Sequence, residues 1–204
     1  MTAILVFAKA PVQGEVKTRL IPALGAAGAA ALHERLVDRA LATAAAAAVG
    51  PVELCCAPDA RHPALAPLAR RHGAALGEQG PGDLGDRMHG AFSRALAGAP
   101  AAILIGSDCP ALTPEHLRAA VAALAAGEDA VLAPAEDGGY VLIGLAHPER
   151  SLFERIAWGG PTVLAETRGR LAAAGLRWRE IATLWDVDRP EDLDRLRREL
   201  PGGP

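Results

Sequence analysis

Two lysines near the start of the chain are the first side chains whose type and position suggest chemistry. Among 21 basic residues only Lys9 and Lys17 are lysines, and both lie in the run KAPVQGEVKTRL, residues 9–20. Arginine supplies the rest of the positive charge, so a lysine kept here indicates a need for a compact, flexible ammonium group that can contact phosphate. Solvation of an exposed loop is the alternative explanation.

A carboxylate at the end of an apolar run is the second candidate. The run ILIGSDCP places Asp108 directly after a segment typical of a buried strand, and open α/β sheets bind ligands at the carboxyl ends of their strands. Thr113 precedes Pro114 and is the expected N-cap of the next helix, which leaves Asp108 free of that role. A carboxylate there could hold Mg²⁺ or Mn²⁺, because these cations prefer oxygen ligands.

One carboxylate rarely holds a metal alone, and the run LWDVDRPEDL offers two partners, Asp186 and Asp188. Asp188 has an alternative explanation, because with Glu191 it matches a capping box for the last helix. Asp186 has no such local role, although a solvated loop acid would look the same. We expect one of the two to share a metal ion with Asp108.

The run AEDGGY places two acids beside two glycines. Glu136 or Asp137 could orient or deprotonate an acceptor hydroxyl, which makes them candidate catalytic residues. Gly138 and Gly139 would allow the backbone to approach a ligand closely. A plain hairpin turn explains the same residues, because Asp-Gly favours such turns.

Three other motifs are weaker. Lys17-Thr18 resembles the end of a P-loop, but Val16 stands where the second glycine must be. GPGDLG, residues 80–85, matches a dinucleotide fingerprint, but the AALGEQ before it is a poor strand. Cys109 has no histidine base that can be placed near it, so a packed thiol is expected. Trp158 could stack on a base or sugar, or could belong to the core.

Hydrophobic periodicity predicts alternating strands and helices. The predicted strands are Ala3–Ala8, Val52–Ala57, Ala101–Gly106, Ala130–Pro134, Tyr140–Leu145 and Leu176–Ile181. The predicted helices are Leu24–Ala48, Pro63–His72, Leu84–Ala97, Pro114–Ala126, Thr162–Ala174 and Pro190–Leu200. Repeated β-α units predict an α/β fold, a three-layer α/β/α sandwich with a mostly parallel sheet. Only AEDGG separates two of the strands, which is too short for a helical crossover, so the sheet should be mixed.

Composition narrows the class of protein. The 204 residues carry a net charge of −3, with 50% hydrophobic and 22% charged residues, which is typical of one soluble domain spanning residues 1–204. PGGP, residues 201–204, should be frayed. The lack of a basic face argues against nucleic acid as a partner, and no apolar run is long enough for a membrane span. Three cysteines form no disulfide framework, which favours the cytoplasm. The sequence does not fix the oligomeric state.

Five ordered motifs together resemble a known family. FAKAPVQGEVKTRL, GDLGDRM, IGSDCPALTPEHL, APAEDGGYVLIGL and LWDVDRPEDL are similar to motifs of the bacterial transferases associated with radical-SAM and selenoprotein-type domains. Some of these are glycosyltransferases of arsenosugar biosynthesis. The resemblance covers nearly the whole chain and implies the nucleotide-diphospho-sugar transferase superfamily and a GT-A-like fold.

The resemblance also implies roles for particular residues. Asp108 would bind metal and diphosphate, with Ser107 beside it as a phosphate-binding residue, and Asp188 would lie near the metal. Lys17 and Arg19 would bind the nucleotide, in a loop in which Gly14 is the one glycine. Gly138 and Gly139 join this phosphate-binding set. The implied cofactor is Mg²⁺ or Mn²⁺.

Three functions follow as hypotheses. The first is metal-dependent glycosyl transfer from a nucleotide-diphospho-sugar to a small acceptor. The second is nucleotidylyl transfer from a nucleoside triphosphate with release of pyrophosphate, because 2-phospholactate guanylyltransferases have a similar first loop. The third is a non-catalytic, nucleotide-binding accessory protein. The lack of a glycine-rich first loop favours glycosyl transfer.

Overall fold

A computed structural model describes residues 1–199 of the chain. The predicted fraying of residues 201–204, and the last residue of the predicted C-terminal helix, lie outside the described residues. Within residues 1–199, no helix is both long and apolar enough to cross a lipid bilayer.

The strands form one mixed sheet. Seven are present in the described residues: β1 (Ala3–Lys9), β2 (Val52–Ala57), β3 (Ala75–Glu78), β4 (Ala102–Gly106), β5 (Ala130–Pro134), β6 (Tyr140–Leu145) and β7 (Trp178–Glu180). Their order across the sheet is β3-β2-β1-β4-β6-β5-β7. β6 runs antiparallel to both of its neighbours and the other pairs are parallel. The predicted mixed, mostly parallel sheet is therefore confirmed.

Helices cover both faces of this sheet. The described part of the chain contains α1 (Ile21–Ala47), α2 (Leu65–Arg71), α3 (Leu84–Leu96), α4 (Pro114–Ala125), α5 (Val163–Ala173) and α6 (Pro190–Glu199). Short 3₁₀ helices add Thr18–Leu20 and Arg150–Leu152. Thr113 is the N-cap of α4 as predicted, and its backbone N–H donates to Nδ1 of His116 at 3.1 Å.

Alternate residues of the central strands enter two different cores. Ile4 and Val6 of β1 pack with α1, α2 and α4 on one face, whereas Leu5 and Phe7 pack with α3 and α5 on the other. Burial of both faces explains the continuous apolar runs of β1 and β4. The layer order confirms the predicted α/β/α sandwich.

The interpretation of residues 74–79 as a poor strand was wrong. Residues Ala75–Glu78 form β3, which pairs in parallel with β2 at one edge of the sheet. Its residues are exposed or only partly buried. An edge strand that buries neither face lacks the apolar pattern of a central strand, and this hid it in the sequence.

The sheet direction brings the candidate residues to one edge. The parallel strands β1 and β4 end there, and they are followed by the Lys9–Leu20 loop and by Asp108. Because β6 is antiparallel to β5, the turn between them, residues 135–139, lies at the edge where β5 ends. This edge is where ligands bind in open α/β sheets.

Candidate active site

A cleft at this edge gathers most of the predicted phosphate- and metal-binding residues. We call it the cationic cleft, and its volume is about 640 Å³. Predicted residues that line it are Lys9, Lys17, Arg19, Ser107, Asp108 and Asp188. Arg87, on α3, adds a further positive charge to the wall.

Lys17 connects three segments of the cleft. Its ammonium Nζ lies 2.8 Å from Oδ1 of Asp108 and donates a hydrogen bond to the carbonyl of Val187 at 2.5 Å. The lysine side chain is only 4% exposed, whereas that of Asp108 is 45% exposed. Lys17 also has a left-handed backbone, with φ of 48°. Its charge is therefore held at one point in the floor of the cleft.

The surroundings of Asp108 keep it ionised. Partial burial raises the pKa of this carboxyl, but the Lys17 ammonium, its hydrogen bond and the Ser107 hydroxyl together hold the pKa below its ordinary value. The Ser107 hydroxyl donates to Oδ1 of Asp108 at 3.2 Å. Ser107 thus supports Asp108 in this structure.

The segment from Leu184 to Asp188 passes between Asp108 and the β5–β6 turn. The N–H of Leu184 donates to the carbonyl of Pro134, and the N–H of Val187 donates to the carbonyl of Asp108, both at 2.9 Å. Asp186 lies between these two attachment points. Burial raises the pKa of Asp186 to about 6, with further contributions from the Asp137 and Asp108 carboxylates. Asp108, Asp137 and Asp186 therefore form one interacting group of acids.

Asp188 has a different local role from the one expected. Its carboxylate pairs with the guanidinium of Arg19, and both side chains are largely exposed. The predicted capping box of Asp188 and Glu191 is wrong, because Oδ2 of Asp192 accepts from the backbone N–H groups of Asp188 and Arg189. The Asp188 side chain is thereby free to hold Arg19 at the rim of the cleft.

The two acids of the β5–β6 turn have unequal surroundings. Glu136 forms two hydrogen bonds with the guanidinium of Arg195, at 2.8 and 3.2 Å. Arg195 in turn lies over the ring of Trp185, 4.5 Å from its centre. Asp137 accepts a hydrogen bond from the N–H of Gly139 at 2.9 Å through Oδ1, and its other oxygen has no partner among the described residues. Asp137 is the freer of the two predicted catalytic carboxylates.

The predicted glycines also differ in their surroundings. Gly138 has φ of +92°, and a Cβ on it would lie 2.2 Å from the carbonyl oxygen of Pro161, so it packs against the loop before α5. A Cβ on Gly139 would meet the Asp137 carboxylate at 3.3 Å. Gly14 has φ of +84° with open space around it, which is a turn requirement rather than a close approach.

Two buried polar residues of the cleft carry no motif and were missed in the sequence. Nε2 of Gln79 donates to the carbonyls of Ala8 and Cys55, at 3.2 and 3.1 Å, so both amide hydrogens are used and Oε1 is left as an acceptor. Nε2 of His33 is 2.9 Å from the carbonyl of Lys9 and must donate to it. A polar residue at a buried position of its element is the one signal that could have found them.

His33 leaves an unpaired nitrogen next to Asp108. Its Nδ1 is buried without a hydrogen-bond partner among residues 1–199, and lies 3.9 Å from Oδ1 of Asp108. Burial lowers the pKa of His33, although the Asp108 carboxylate opposes this. A neutral imidazole therefore presents a lone pair to a carboxylate, an arrangement that a donor between them would stabilise.

Two further pockets adjoin the cationic cleft. The acidic pocket, of about 280 Å³, is lined by Glu136, Asp137, Asp186, Asp188 and Asp192 together with Arg189 and other residues. The apolar pocket, of about 230 Å³, shares Phe7, Leu84 and Gly106 with the cleft and Asp137 with the acidic pocket. Trp158 lines the apolar pocket and also packs on the core beneath it.

The Cys109 thiol is unsuited to nucleophilic attack. It is buried, and this burial raises its pKa to about 12. At neutral pH the reactive thiolate is therefore scarce. The expectation of a packed thiol agrees with this environment.

The acids fit a divalent cation that is shared with a ligand. Within residues 1–199, no three histidine, cysteine or acidic side chains are grouped to hold a metal by themselves. Burial is the main cause of the raised pKa of Asp186, and the neighbouring Asp137 and Asp108 carboxylates raise it further, so a cation bound here would be stabilised by the ionised acids. Mg²⁺ often binds through one or two carboxylates with substrate phosphates as the other ligands. Asp108 and Asp186 have the oxygen donors for such a site.

Comparison with known proteins shows the family to which this chain belongs. Residues 40–160 match the family described as "Uncharacterized protein conserved in bacteria" (DUF2064). The chain belongs to this family. No curated protein gives a significant match to this DUF2064 member.

Solved structures share the whole fold of this DUF2064 chain. A protein from Desulfovibrio desulfuricans G20, provisionally assigned as a nucleotide-diphospho-sugar transferase, is 32% identical with a TM-score of 0.88, covering 98% of this chain and 89% of its own. A nucleotidyl transferase from Methanothermobacter thermautotroptrophicus is 16% identical with a TM-score of 0.67, covering 98% and 97%. Glucosyl-3-phosphoglycerate synthase from Mycobacterium tuberculosis, solved with Mn²⁺ and UDP, is 12% identical with a TM-score of 0.56, covering 98% and 77%.

These matches confirm the fold class predicted from the sequence. The same architecture is found in glycosyl and nucleotidyl transferases, as the resemblance to the nucleotide-diphospho-sugar transferase superfamily implied. The narrower resemblance to transferases associated with radical-SAM and selenoprotein-type domains stays a prediction.

Proposed function

We propose that this protein is a metal-dependent transferase that uses a nucleotide-activated donor, and that it transfers a glycosyl group from a nucleotide-diphospho-sugar to a small acceptor. The observation that carries the proposal is the ion pair between Lys17 and Asp108 in the floor of the cationic cleft. It places a fixed positive charge and an ionised carboxylate at the carboxyl ends of two central strands. The identity of 32% to a protein assigned to the nucleotide-diphospho-sugar transferases supports the same class.

The cleft has groups for each part of a nucleotide diphosphate. Lys17 and Arg19 would bind the phosphates, and the exposed Lys9 would add to the positive field. Oε1 of Gln79, whose amide hydrogens are both used, would accept a hydrogen bond from the base or ribose. The volume of about 640 Å³ is within the range usual for small-molecule sites.

Transfer breaks the bond between the sugar carbon and the diphosphate oxygen, and the electron pair leaves with the diphosphate. Lys17 and Arg19 would stabilise the negative charge that develops on it. A bound Mg²⁺ or Mn²⁺, held by Asp108 and Asp186, would supply Lewis-acid neutralisation of the same charge. Asp137 would take the proton of the acceptor hydroxyl as its oxygen bonds to the sugar carbon.

Nucleotidylyl transfer is the second candidate. The fold is shared with a nucleotidyl transferase, and the first loop resembles that of 2-phospholactate guanylyltransferases. In that reaction pyrophosphate would leave and a phosphate group would be the acceptor. A non-catalytic, nucleotide-binding role is the third, and it would show binding without turnover.

Titration calorimetry with Mg²⁺ or Mn²⁺ separates the first two functions, and an assay for turnover of the bound donor separates both from the third. The panel is nucleoside triphosphates, diphosphates and nucleotide-sugars, with Asp108→Asn as the variant. We expect metal-dependent binding of a nucleotide-sugar and of its diphosphate, weakened in the variant. Preference for a triphosphate would instead favour nucleotidylyl transfer, and no binding of any nucleotide would rule out all three functions.

A further inference from the structure

Two segments carry the acids of the acidic pocket, and main-chain hydrogen bonds join these segments only up to Glu136. The N–H of Leu184 donates to the carbonyl of Pro134, and the N–H of Glu136 donates to the carbonyl of Leu184, both at 2.9 Å. Among residues 1–199, no main-chain hydrogen bond joins the two segments beyond this point. Asp137 and Asp186 both come after the last of these bonds, so a direct link between the parts that carry them must come from side chains.

Arg195 of α6 makes that link. Its guanidinium donates two hydrogen bonds to Glu136, at 2.8 and 3.2 Å, and lies over the Trp185 ring, 4.5 Å from the ring centre. Glu136 directly precedes Asp137 in the chain, and Trp185 directly precedes Asp186. One side chain therefore contacts the residue before each of the two acids.

The other contacts of Arg195 fix its orientation. Trp185 is buried in the core between α1 and α6, and its Nε1 donates to Oε2 of Glu199 at 3.0 Å. Oε1 of the same Glu199 accepts a hydrogen bond from Nε of Arg195 at 2.9 Å. A bidentate pair within such a network keeps its geometry better than an isolated surface ion pair does. The exposed Glu136 is thereby tied to a buried ring.

Arg195 acts on the site through its neighbours. It is not among the described residues that line the cationic cleft or the acidic pocket, whereas Asp137 and Asp186 both line the acidic pocket. These two acids are close enough to interact, because burial raises the pKa of Asp186 and the Asp137 carboxylate raises it further. A change in the contacts of Arg195 would therefore alter the arrangement of the acids without removing a group that touches a ligand.

We propose that Arg195 is a positioning residue for the transfer reaction, which sets the distance between Asp137 and Asp186 by holding Glu136 against the Trp185 ring. The inference rests on the proposed function, in which Asp137 takes the proton of the acceptor and Asp186 helps to hold the cation. Both roles need the carboxylates at a defined separation, because a displacement of about 1 Å from the productive geometry can lower a rate by up to about 100-fold.

Two substitutions of Arg195 and one matched control test this role. Arg195→Ala removes both contacts, and Arg195→Lys keeps the charge but loses the planar fork that binds two oxygens. Arg197→Ala is the control, because Arg197 lies on the same helix and pairs with Asp194 within α6 at 2.8 Å. Turnover is measured as release of UDP from UDP-glucose or of GDP from GDP-mannose, with methyl glucoside or water as the acceptor. Calorimetry in the presence of Mn²⁺ gives the Kd of the same diphosphates.

The expected result is a loss of turnover without a loss of binding. Arg195→Ala should lower kcat about tenfold and leave the Kd of the diphosphate within about twofold, while Arg195→Lys recovers part of the lost kcat. Amide hydrogen exchange in residues 136–139 should accelerate in Arg195→Ala and not in Arg197→Ala. In an Asp137→Asn background, Arg195→Ala should lower kcat no further, since both changes act through the same carboxylate.

Two results would overturn the proposal. One is a kcat in Arg195→Ala equal to that in Arg197→Ala, and the other is a loss of kcat that is just as large in the Asp137→Asn background, which would show that the effect does not pass through this carboxylate. Both results leave nucleotide binding and turnover by the wild type intact, so the proposed function would survive them. A wild type that neither binds nor turns over any nucleotide would overturn the proposed function, and this inference with it.

Discussion

Lys17 and Asp137 lie at the same edge of the sheet, but their surroundings differ. The Lys17 side chain is 4% exposed, paired with Asp108 and bonded to the backbone at Val187. Asp137 is exposed at a turn, and one of its oxygens has no partner among residues 1–199. One charge is held in place before any ligand arrives, and the other is left available.

This difference indicates a division of tasks. A diphosphate is charged throughout its binding and reaction, so a fixed cation stabilises it in both stages. The ammonium of Lys17 loses its hydration once, when the protein folds, and not again when the ligand binds. A proton acceptor must change its charge during the reaction and needs an unpaired oxygen. Glu136, next to Asp137 in the same turn, is an example of a carboxylate with a structural role, because both of its oxygens accept hydrogen bonds from Arg195.

The largest expected effect comes from the free carboxylate. Asp137→Asn should lower kcat by about a hundredfold or more, because a general base contributes 10²–10⁴-fold. Glu136→Gln, the matched neighbour, should lower kcat less than tenfold and act chiefly on stability through the lost pair with Arg195. Steady-state kinetics with the donor and acceptor identified in the binding experiments measure both. Equal losses of kcat would remove the distinction between the two acids.

Loss of the Lys17 charge should weaken nucleotide binding more than it lowers turnover. We expect Lys17→Ala to weaken nucleoside diphosphate binding by about 100- to 1,000-fold, because a charge-assisted contact in an enclosed site is lost and Asp108 is left unpaired. Lys9→Ala, which removes the other lysine from an exposed position, should cost no more than about tenfold. Calorimetry at one fixed ionic strength compares them. Similar losses would mean that only the net charge of the loop matters.

Glycines on the two sides of the site offer a comparison of backbone strain. Gly138→Ala should lower the free energy of unfolding by about 2–3 kcal/mol, because its φ is +92° and the new Cβ would overlap the Pro161 carbonyl. Gly14→Ala should cost about 1 kcal/mol, since its φ is +84° but the space is open. Urea unfolding measures both, and an equal cost would argue against a packing role for Gly138.

The fold could be predicted wherever a strand is buried on both faces. β2, β5 and β6 have the predicted bounds, because helices cover both sides and nearly every position is apolar. β3 was missed since it is exposed at the edge. Sheet order could not be predicted in detail, because it depends on which strands pair and not on local pattern.

The sequence could predict which segments contribute to the candidate site, but not the contacts between them. Asp108 and the Lys17 loop were found because strand ends in such folds collect ligands. Their ion pair, and the choice between Asp186 and Asp188 as the acid near Asp108, depend on contacts between distant segments that no spacing rule contains. His33 looked like an ordinary helical residue until α1 was placed beside the end of β1.

The smallest expected effect is on stability. The pH dependence of the free energy of unfolding should distinguish Asp186 from the acids that are paired with arginine. Burial and the neighbouring carboxylates raise its pKa from 3.8 to about 6, so the folded state holds this proton more tightly and stability falls as the pH rises from about 4 to 6. The full cost is present above pH 6. Because Asp186 is only partly buried, solvent screens part of this effect, and we expect Asp186→Asn to raise the free energy of unfolding at pH 7 by about 1 kcal/mol, and by little at pH 4.

Urea unfolding at pH 4 and pH 7 tests this, with Asp194→Asn on the exposed face of α6 as the control that should show no such pH dependence. Equal stabilisation at both pH values would contradict a raised pKa. A gain limited to pH 7 would show that the ionised Asp186 destabilises the folded protein without a ligand. A residue retained at that cost is expected where stability has been exchanged for function, as it would be if Asp186 helps to hold the cation of a metal–diphosphate complex.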